Sequence, residues 1–321
     1  MGLSHAKCLS NARLDGKTAI VTGSNSGIGK CTVEDFFKRG ARVIMACRNV
    51  AKANEAAENI KTNCDGQDRL GDIVVTELDL CSLESVKQCA SRLLESQKQI
   101  DILVNNAGVS MCPKSKTVDG FETQFGTNHL GHFLFTLLLL PRIIESSPAR
   151  IINVSSMVHS NGALNFDDLN YEKRQYSYAQ AYRDSKLANV LFTKELARKL
   201  QEANIAKVTV YSLHPGAVAT DLVRHLDDTY FKGVRWTLSF ILRTFMKTPE
   251  QGAQTTIHCA VDETAGKETG LYYSECQVQE PVSKANSVED AQKLWELSMK
   301  FVNLPQNYNP FFAKQEKKLI V

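Results

Sequence analysis

Val21-Thr22-Gly23-Ser24-Asn25-Ser26-Gly27-Ile28-Gly29 is the stretch on which the fold turns. A short β-branched run at 18–21 precedes it and helical periodicity at 30–39 follows, so it is a strand-to-helix turn. Its glycines let the main chain turn tightly and approach a pyrophosphate, whose charge sits at the helix N-terminus. The spacing is G-x-x-x-G-x-G rather than the commoner G-x-G-x-x-G. Gly29-Lys30 imitates the end of a phosphate loop. That loop needs a glycine five residues earlier and Ser or Thr after the lysine. Here those positions are Ser24 and Cys31, which excludes the NTPase reading.

Outward from this turn, β-branched runs recur at 42–46, 73–78, 102–105, 151–154 and 208–212, with helical segments at 50–62, 83–97 and 181–201. Strand–helix–strand alternation implies right-handed crossovers and a parallel sheet covered on both faces. The runs are nearly all apolar, as doubly buried strands should be. The predicted fold class is α/β, a single Rossmann-type doubly wound parallel sheet with helices on both faces. Residues 1–14 form an N-terminal extension, 15–304 the domain, and 305–321 a frayed C-terminal tail. A polar stretch at 160–175 reads as a surface loop. Helical segments follow at 218–246 and 249–259.

Composition narrows the function. The formal net charge of +3 is too balanced for a nucleic-acid footprint. Nine cysteines without C-x-x-C spacing suit a reduced compartment rather than a disulfide framework or zinc site. His129, His132 and His214 have no partners at metal spacing, so no metal is expected. The most apolar run, 130–144, is too short for a spanning helix and holds His132, Thr136 and Pro141. Residues 1–13 lack the apolar core of a signal peptide. The expected location is therefore cytoplasmic, extending at most to the cytosolic face of a membrane. Asn153-Val154-Ser155 is a formal glycosylation sequon inside a buried strand, and is read as coincidence.

Several motifs now converge. Thr22 to Gly29 resembles the T-G-x-x-x-G-I-G fingerprint of short-chain dehydrogenases/reductases, and Asn105-Asn106-Ala107-Gly108 resembles their N-N-A-G. Asp79, followed by Leu80, resembles the adenine-contacting aspartate of that family. Asn128, Ser156, Tyr182 and Lys186 fall in chain order where its catalytic tetrad would fall. Pro215-Gly216, with Val218 and Thr220, resembles the segment that closes over the nicotinamide. The resemblance spans about residues 15–275. It implies cofactor contacts from Gly23, Ser24, Asn25, Ser26, Gly27, Ile28, Gly29, Arg48, Asn49, Asp79, Leu80, Asn106, Ala107, Gly108, Tyr182, Lys186, Pro215, Gly216, Val218 and Thr220.

The chemistry explains these residue types. Tyr182 and Lys186, at i and i+4, share one helix face. A phenol with pKa ~10 is a poor acid–base group at neutral pH, and a nearby ammonium and an oxidised nicotinamide are both expected to lower it. Ser156 can hold the substrate oxygen while Tyr182 moves its proton. Lys186 is expected to reach the ribose hydroxyls. The resemblance assigns Asn128 a water linking Lys186 to solvent. On a strand, Ser155 and Ser156 point to opposite faces, so only one faces the site. The family alignment favours Ser156. Tyr171, Tyr176 and Tyr178 either line a substrate pocket or pack.

The long Ser156–Tyr182 spacing, Asp184-Ser185-Lys186-Leu187-Ala188-Asn189 and Ala46-Cys47-Arg48-Asn49 resemble the retinol dehydrogenase branch. Where an acidic residue would bind a free ribose 2′-hydroxyl, this chain has Cys47 and then Arg48. A guanidinium there suits a 2′-phosphate, so the expected cofactor is NADP(H). The implied activity is interconversion of an apolar alcohol and its carbonyl, retinol and retinal first, with reduction favoured. The alternatives are a steroid, fatty aldehyde or xenobiotic carbonyl, or a non-catalytic nucleotide-binding scaffold. The expected partner is an apolar small molecule; a homo-oligomer is compatible. By the resemblance, residues 220–248 form a substrate lid. Lys232, Arg235 and Arg243 beside Trp236 and Phe240 also suit peripheral contact with an anionic membrane surface.

Overall fold

The computed structural model of the chain describes residues 6–218, 246–305 and 308–311. The described strands form one sheet in the order β3-β2-β1-β4-β5-β6-β7-β8. They are β1 Thr18–Thr22, β2 Arg42–Cys47, β3 Asp72–Glu77, β4 Ile102–Asn105, β5 Ala149–Val154, β6 Val208–Leu213, β7 Leu271–Ser274 and β8 Gln277–Gln279. Every pairing is parallel except that of β7 with β8. The helices are α1 Gly27–Lys38, α2 Val50–Asn63, α3 Leu83–Ser96, α4 Thr123–Phe125, α5 Gly131–Glu145, α6 Tyr178–Glu202, α7 Pro249–Val261 and α8 Val288–Phe301.

Two apolar cores follow from the two-residue period of the strands. Ile20, Ile44, Leu103 and Ile151 share one core with Leu93 of α3, Phe133 of α5, Leu191 of α6 and Trp295 of α8. Their neighbours Val21, Met45, Val104 and Ile152 share the other with Phe36 of α1, Ile60 of α2 and Ile257 of α7. This is the doubly wound α/β sheet that the strand alternation predicts. The winding direction reverses between β1 and β4, which opens a crevice beyond the strands' carboxyl ends.

Buried amides pin the helices that carry the chemistry. Asn105 of β4 donates to Asn153 Oδ1 on β5 and to Thr136 on α5, both at 2.8 Å. Asn153 donates in turn to Thr193 on α6 at 2.9 Å. The sequon asparagine is thus a buried structural amide.

Three features depart from the sequence reading. The hairpin of β7 and β8 was not legible, because its turn residues Glu275 and Cys276 take φ of +51° and +55° without the glycine or asparagine that announces such turns. The stretch 160–175 is more than a surface loop. Tyr171 is buried and donates to Asp184 Oδ2 at 2.9 Å, Arg174 lies 3.7 Å over the Tyr171 ring, and Ala163 N–H donates to Asp184 Oδ1 at 2.8 Å. A carboxylate on α6 therefore organises the insertion, a long-range contact that local polarity conceals. The described part of the tail is docked: Tyr308 donates to the Leu137 carbonyl at 2.7 Å and Phe311 stacks on Trp295.

Thr220 and almost all of the expected lid lie outside the described residues. Its flanks meet: Lys247 N–H donates to the Ala217 carbonyl at 2.8 Å, and Lys247 forms an ion pair with Glu275. Among the described residues, no helix is long and apolar enough to cross a membrane.

Candidate active site

Thr22, the last residue of β1, ties the glycine turn to the turn after β4. Its hydroxyl accepts from the N–H groups of Asn106 and Ala107, each at 3.0 Å. It also lies 2.9 Å from His132 Nε2. His132 Nδ1 bonds the Asn128 carbonyl at 3.1 Å, and a carbonyl only accepts, so Nδ1 carries the ring hydrogen and Thr22 donates to Nε2. Burial pushes His132 down to about 4, keeping the ring neutral. Burial takes His129 to about 3, and its Nε2 lies 2.8 Å from Ser298 Oγ. His214 Nδ1 accepts from Gly216 N–H at 3.1 Å. All three histidines have structural partners, and among the described residues no cluster of His, Cys, Asp or Glu could hold a metal ion.

The glycines are there for space as well as conformation. Gly23 and Gly27 have φ of +62° and +55°, in the left-handed region. A Cβ on Gly23 would stand 2.7 Å from that of Ala107, and one on Gly29 would stand 2.6 Å from Asn106 Nδ2 and 2.8 Å from the Gly23 carbonyl. The helix they open is left without a side-chain cap. Ser26 at the N-cap of α1 makes no capping bond, whereas Asn49, Ser82, Ser177, Thr248 and Ser287 each cap their own helices. Uncapped N–H groups at a glycine turn fit a pyrophosphate.

A cleft of about 640 Å³ begins at this turn. Its walls include Gly23, Asn25, Ser26, Gly27, Ile28, Gly29, Arg48, Asn49, Asp79, Leu80, Asn106, Ala107, Gly108, Ser156, Tyr182, Lys186, Pro215, Gly216 and Val218. Of the expected residues that the structure describes, two are not among them. Ser24 is fully buried beneath the loop, its hydroxyl donating to the Val21 carbonyl at 3.0 Å and its N–H to Cys47 Sγ at 3.3 Å. Asn128 is also fully buried: it accepts from Val109 N–H at 2.8 Å and donates to Val109 O and Ser185 Oγ, both at 2.9 Å. Its side chain is committed to holding the chain after β4 against α6, and its carbonyl already accepts from His132. Lys30 and Lys52 line the cleft but were missed. Lys52, four residues after Arg48 in the first turn of α2, was the available signal.

At the inner end, Ser156, Tyr182 and Lys186 line the cleft together. Ser155 donates to the Lys186 carbonyl at 2.7 Å, anchoring α6 to the end of β5. Both serines lie past the end of β5 and both border the cleft; the hydroxyl of Ser155 is the one engaged by α6. Lys186 Nζ donates to the Val154 carbonyl at 3.1 Å and lies 5.7 Å from the centre of the Tyr182 ring. A Cβ on Gly108 would come within 3.5 Å of that ammonium. In the protein alone, burial acts against the lowering that the ammonium and nicotinamide would bring. Burial pushes Tyr182 up to about 12, against the opposing effect of the Ser156 hydroxyl, and pushes Lys186 down to about 8. Desolvation outweighs the attraction expected between phenolate and ammonium. Tyr176 and Tyr171 pack instead of lining the cleft; Tyr176 donates to the Cys112 carbonyl at 2.9 Å and its ring meets that of Tyr171 edge-on.

A Rossmann sheet with an open, uncapped glycine turn, and Ser156 beside buried Tyr182 and Lys186 at the far end of one cleft, defines a nicotinamide-dependent oxidoreductase. Comparisons agree. The short chain dehydrogenase family model matches residues 17–230. Human retinol dehydrogenase 11 is 45% identical over 94% of this chain and 91% of its own length, and mouse retinol dehydrogenase 12 is 44% identical over 92% and 90%. An uncharacterised protein of Mycobacterium paratuberculosis superposes with a TM-score of 0.72 at 32% identity, covering 93% of this chain and 98% of its own. The Pseudomonas aeruginosa RhlG/NADP complex gives 0.62 at 27% identity, covering 81% and 94%. The Brucella melitensis 3-ketoacyl-(acyl-carrier-protein) reductase complexed with NADH gives 0.58 at 26%, covering 81% and 96%. The chain belongs to the short-chain dehydrogenase/reductase family, in its retinol dehydrogenase branch. Its cofactor is a nicotinamide nucleotide.

Proposed function

We propose that this protein is an NADP(H)-dependent oxidoreductase interconverting an apolar alcohol and its carbonyl, with retinol and retinal as the pair and reduction favoured. The observation that carries the reading is that Ser156, Tyr182 and buried Lys186 line one wall of the cleft that begins at the glycine turn. When bound, the nicotinamide supplies or takes the hydride. Ser156 orients the substrate oxygen, and Tyr182 gives its hydroxyl proton to that oxygen or takes it back. Lys186 holds positive charge beneath the phenol, and burial excludes competing water. The identity to retinol dehydrogenases supports the retinoid class. The direct test is NADPH consumption with retinal, a medium-chain aldehyde, a steroid ketone and a quinone. Turnover highest on retinal is expected. A preference for another carbonyl would move the substrate assignment, and inactivity on all four with NADPH still bound would make the chain a nucleotide-binding scaffold.

Preference for the phosphorylated nucleotide is assigned to Arg48. The cleft wall there carries Arg48, Lys52 and Lys30. The neighbouring Cys47 is buried, its thiol raised by burial and opposed by hydrogen bonds from Ser24 and the loop N–H groups. Cys47→Asp with Arg48→Ala should lower NADPH affinity by about 10- to 100-fold, the size of one charge-assisted contact. NADH affinity should hold or improve. Isothermal titration of both nucleotides measures this, and a wild type that already prefers NADH would overturn the assignment.

A further inference from the structure

Ser156 lies just beyond the sheet. The last β5–β6 pair joins Val154 to Leu213, and Ser155 N–H still reaches the Leu213 carbonyl at 2.7 Å. Ser156 has extended backbone at φ −155° and ψ 155°, and starts the short 3₁₀ segment Met157–Asn161. Bonds in such turns are poorly aligned, and the one to Ser156 Oγ, from Val158 N–H, is long at 3.4 Å. The ladder therefore does not fix this serine.

His159 supplies what is missing. The Ser156 carbonyl accepts from His159 N–H at 3.1 Å and lies 2.8 Å from His159 Nδ1. A carbonyl only accepts, so Nδ1 carries the ring hydrogen and both bonds come from one residue. His159 is 4% exposed, and its Nε2 has no hydrogen-bond partner among the described residues. Burial holds the ring below the usual histidine range, which keeps it neutral. Tyr272, buried in β7, braces the ring at a centroid distance of 4.8 Å, with its hydroxyl 3.3 Å from Nδ1. The same tyrosine lies 6.0 Å from the His214 ring, whose Nδ1 holds the Gly216 N–H. One aromatic side chain thus supports two imidazoles. One fixes the backbone of Ser156, and the other fixes the turn at Pro215-Gly216.

We infer that His159 is a positioning residue that holds Ser156 Oγ in register with Tyr182 through the Nδ1–H bond to the Ser156 carbonyl. It is not a cleft wall and touches no reacting atom. The inference rests on the proposed role of Ser156. Misplacing a reacting group by ~1 Å costs about 100-fold, so a loosened serine should show in turnover rather than in nucleotide binding.

The test compares His159→Asn with His159→Leu. Both lose the ring and its contact with Tyr272; only asparagine keeps a side-chain N–H at the position of Nδ1. With retinal and NADPH, kcat of His159→Leu should fall about 30-fold and that of His159→Asn no more than about fivefold, within the ~100-fold span of a misplaced group. The KM for NADPH should stay within about twofold in both, as expected when uniform binding is untouched. Equal kcat in the two variants, or a loss carried by the KM for NADPH, would reduce His159 to packing and overturn the inference. Ser156→Ala, measured alongside, separates the two levels. If it is inactive while the His159 variants turn over equally, only this inference falls. If it retains wild-type turnover, the proposed role of Ser156 falls with it.

Discussion

Tyr182→Phe should lower turnover by about 10³-fold, the usual span of a lost general acid–base group, while leaving NADPH affinity within about twofold. The change removes one oxygen and preserves ring volume, so the 6% exposed site keeps its packing. Two other hydroxyls are already engaged: that of Ser155 by the Lys186 carbonyl, and that of Tyr176 by the Cys112 carbonyl and Glu122. Because burial pushes the phenol up to about 12, Tyr182 is protonated at neutral pH and suited to giving a proton to a carbonyl oxygen. The reverse direction needs the phenolate, so alcohol oxidation should climb as pH rises from 7 towards 10. Stopped-flow turnover and fluorescence titration of NADPH measure the two quantities separately. A variant retaining more than a few per cent of kcat would remove Tyr182 as the proton donor.

Gly29→Ala is the second large effect, and it should fall on binding. The added methyl would meet Asn106 Nδ2 at 2.6 Å and the Gly23 carbonyl and Ser24 Cα at 2.8 Å. Two of these are backbone atoms of the same turn, and Asn106 is held by its 2.8 Å bond to the Thr22 carbonyl. None can yield without moving the first turn of α1 away from the glycine turn. Nucleotide affinity should drop by about 100-fold or more, equivalent to about 2.7 kcal/mol. The fold should persist, since the two cores lie below the turn. Calorimetric titration with NADPH, beside a thermal melt, distinguishes lost binding from lost folding. Unimpaired binding would mean that the phosphates are held elsewhere.

Much of this was legible in the chain. The glycine turn, flanked by a β-branched run and a helical period, specified a strand-to-helix crossover, and repetition specified a parallel sheet. Periodicity of 3.6 placed Tyr182 and Lys186 on one face of their helix. These are local rules, governed by backbone geometry within a few residues, so the sequence alone determined them.

What the tertiary structure decided depends on neighbours far apart in the chain. Ser24 and Asn128 stand within their motifs yet support the cleft from beneath, because each finds partners across strand and helix boundaries. Asp184 organises the 160–175 insertion, and Glu275 and Cys276 turn a hairpin without glycine, where tertiary contacts override local preference. The sign of the Tyr182 shift was set in the same way. Sequence shows which charges are near along the helix, but only packing shows how much water has left, and desolvation grows with burial contributed by every surrounding element. His159, three residues past Ser156, became visible as a partner only once β7 brought Tyr272 against it.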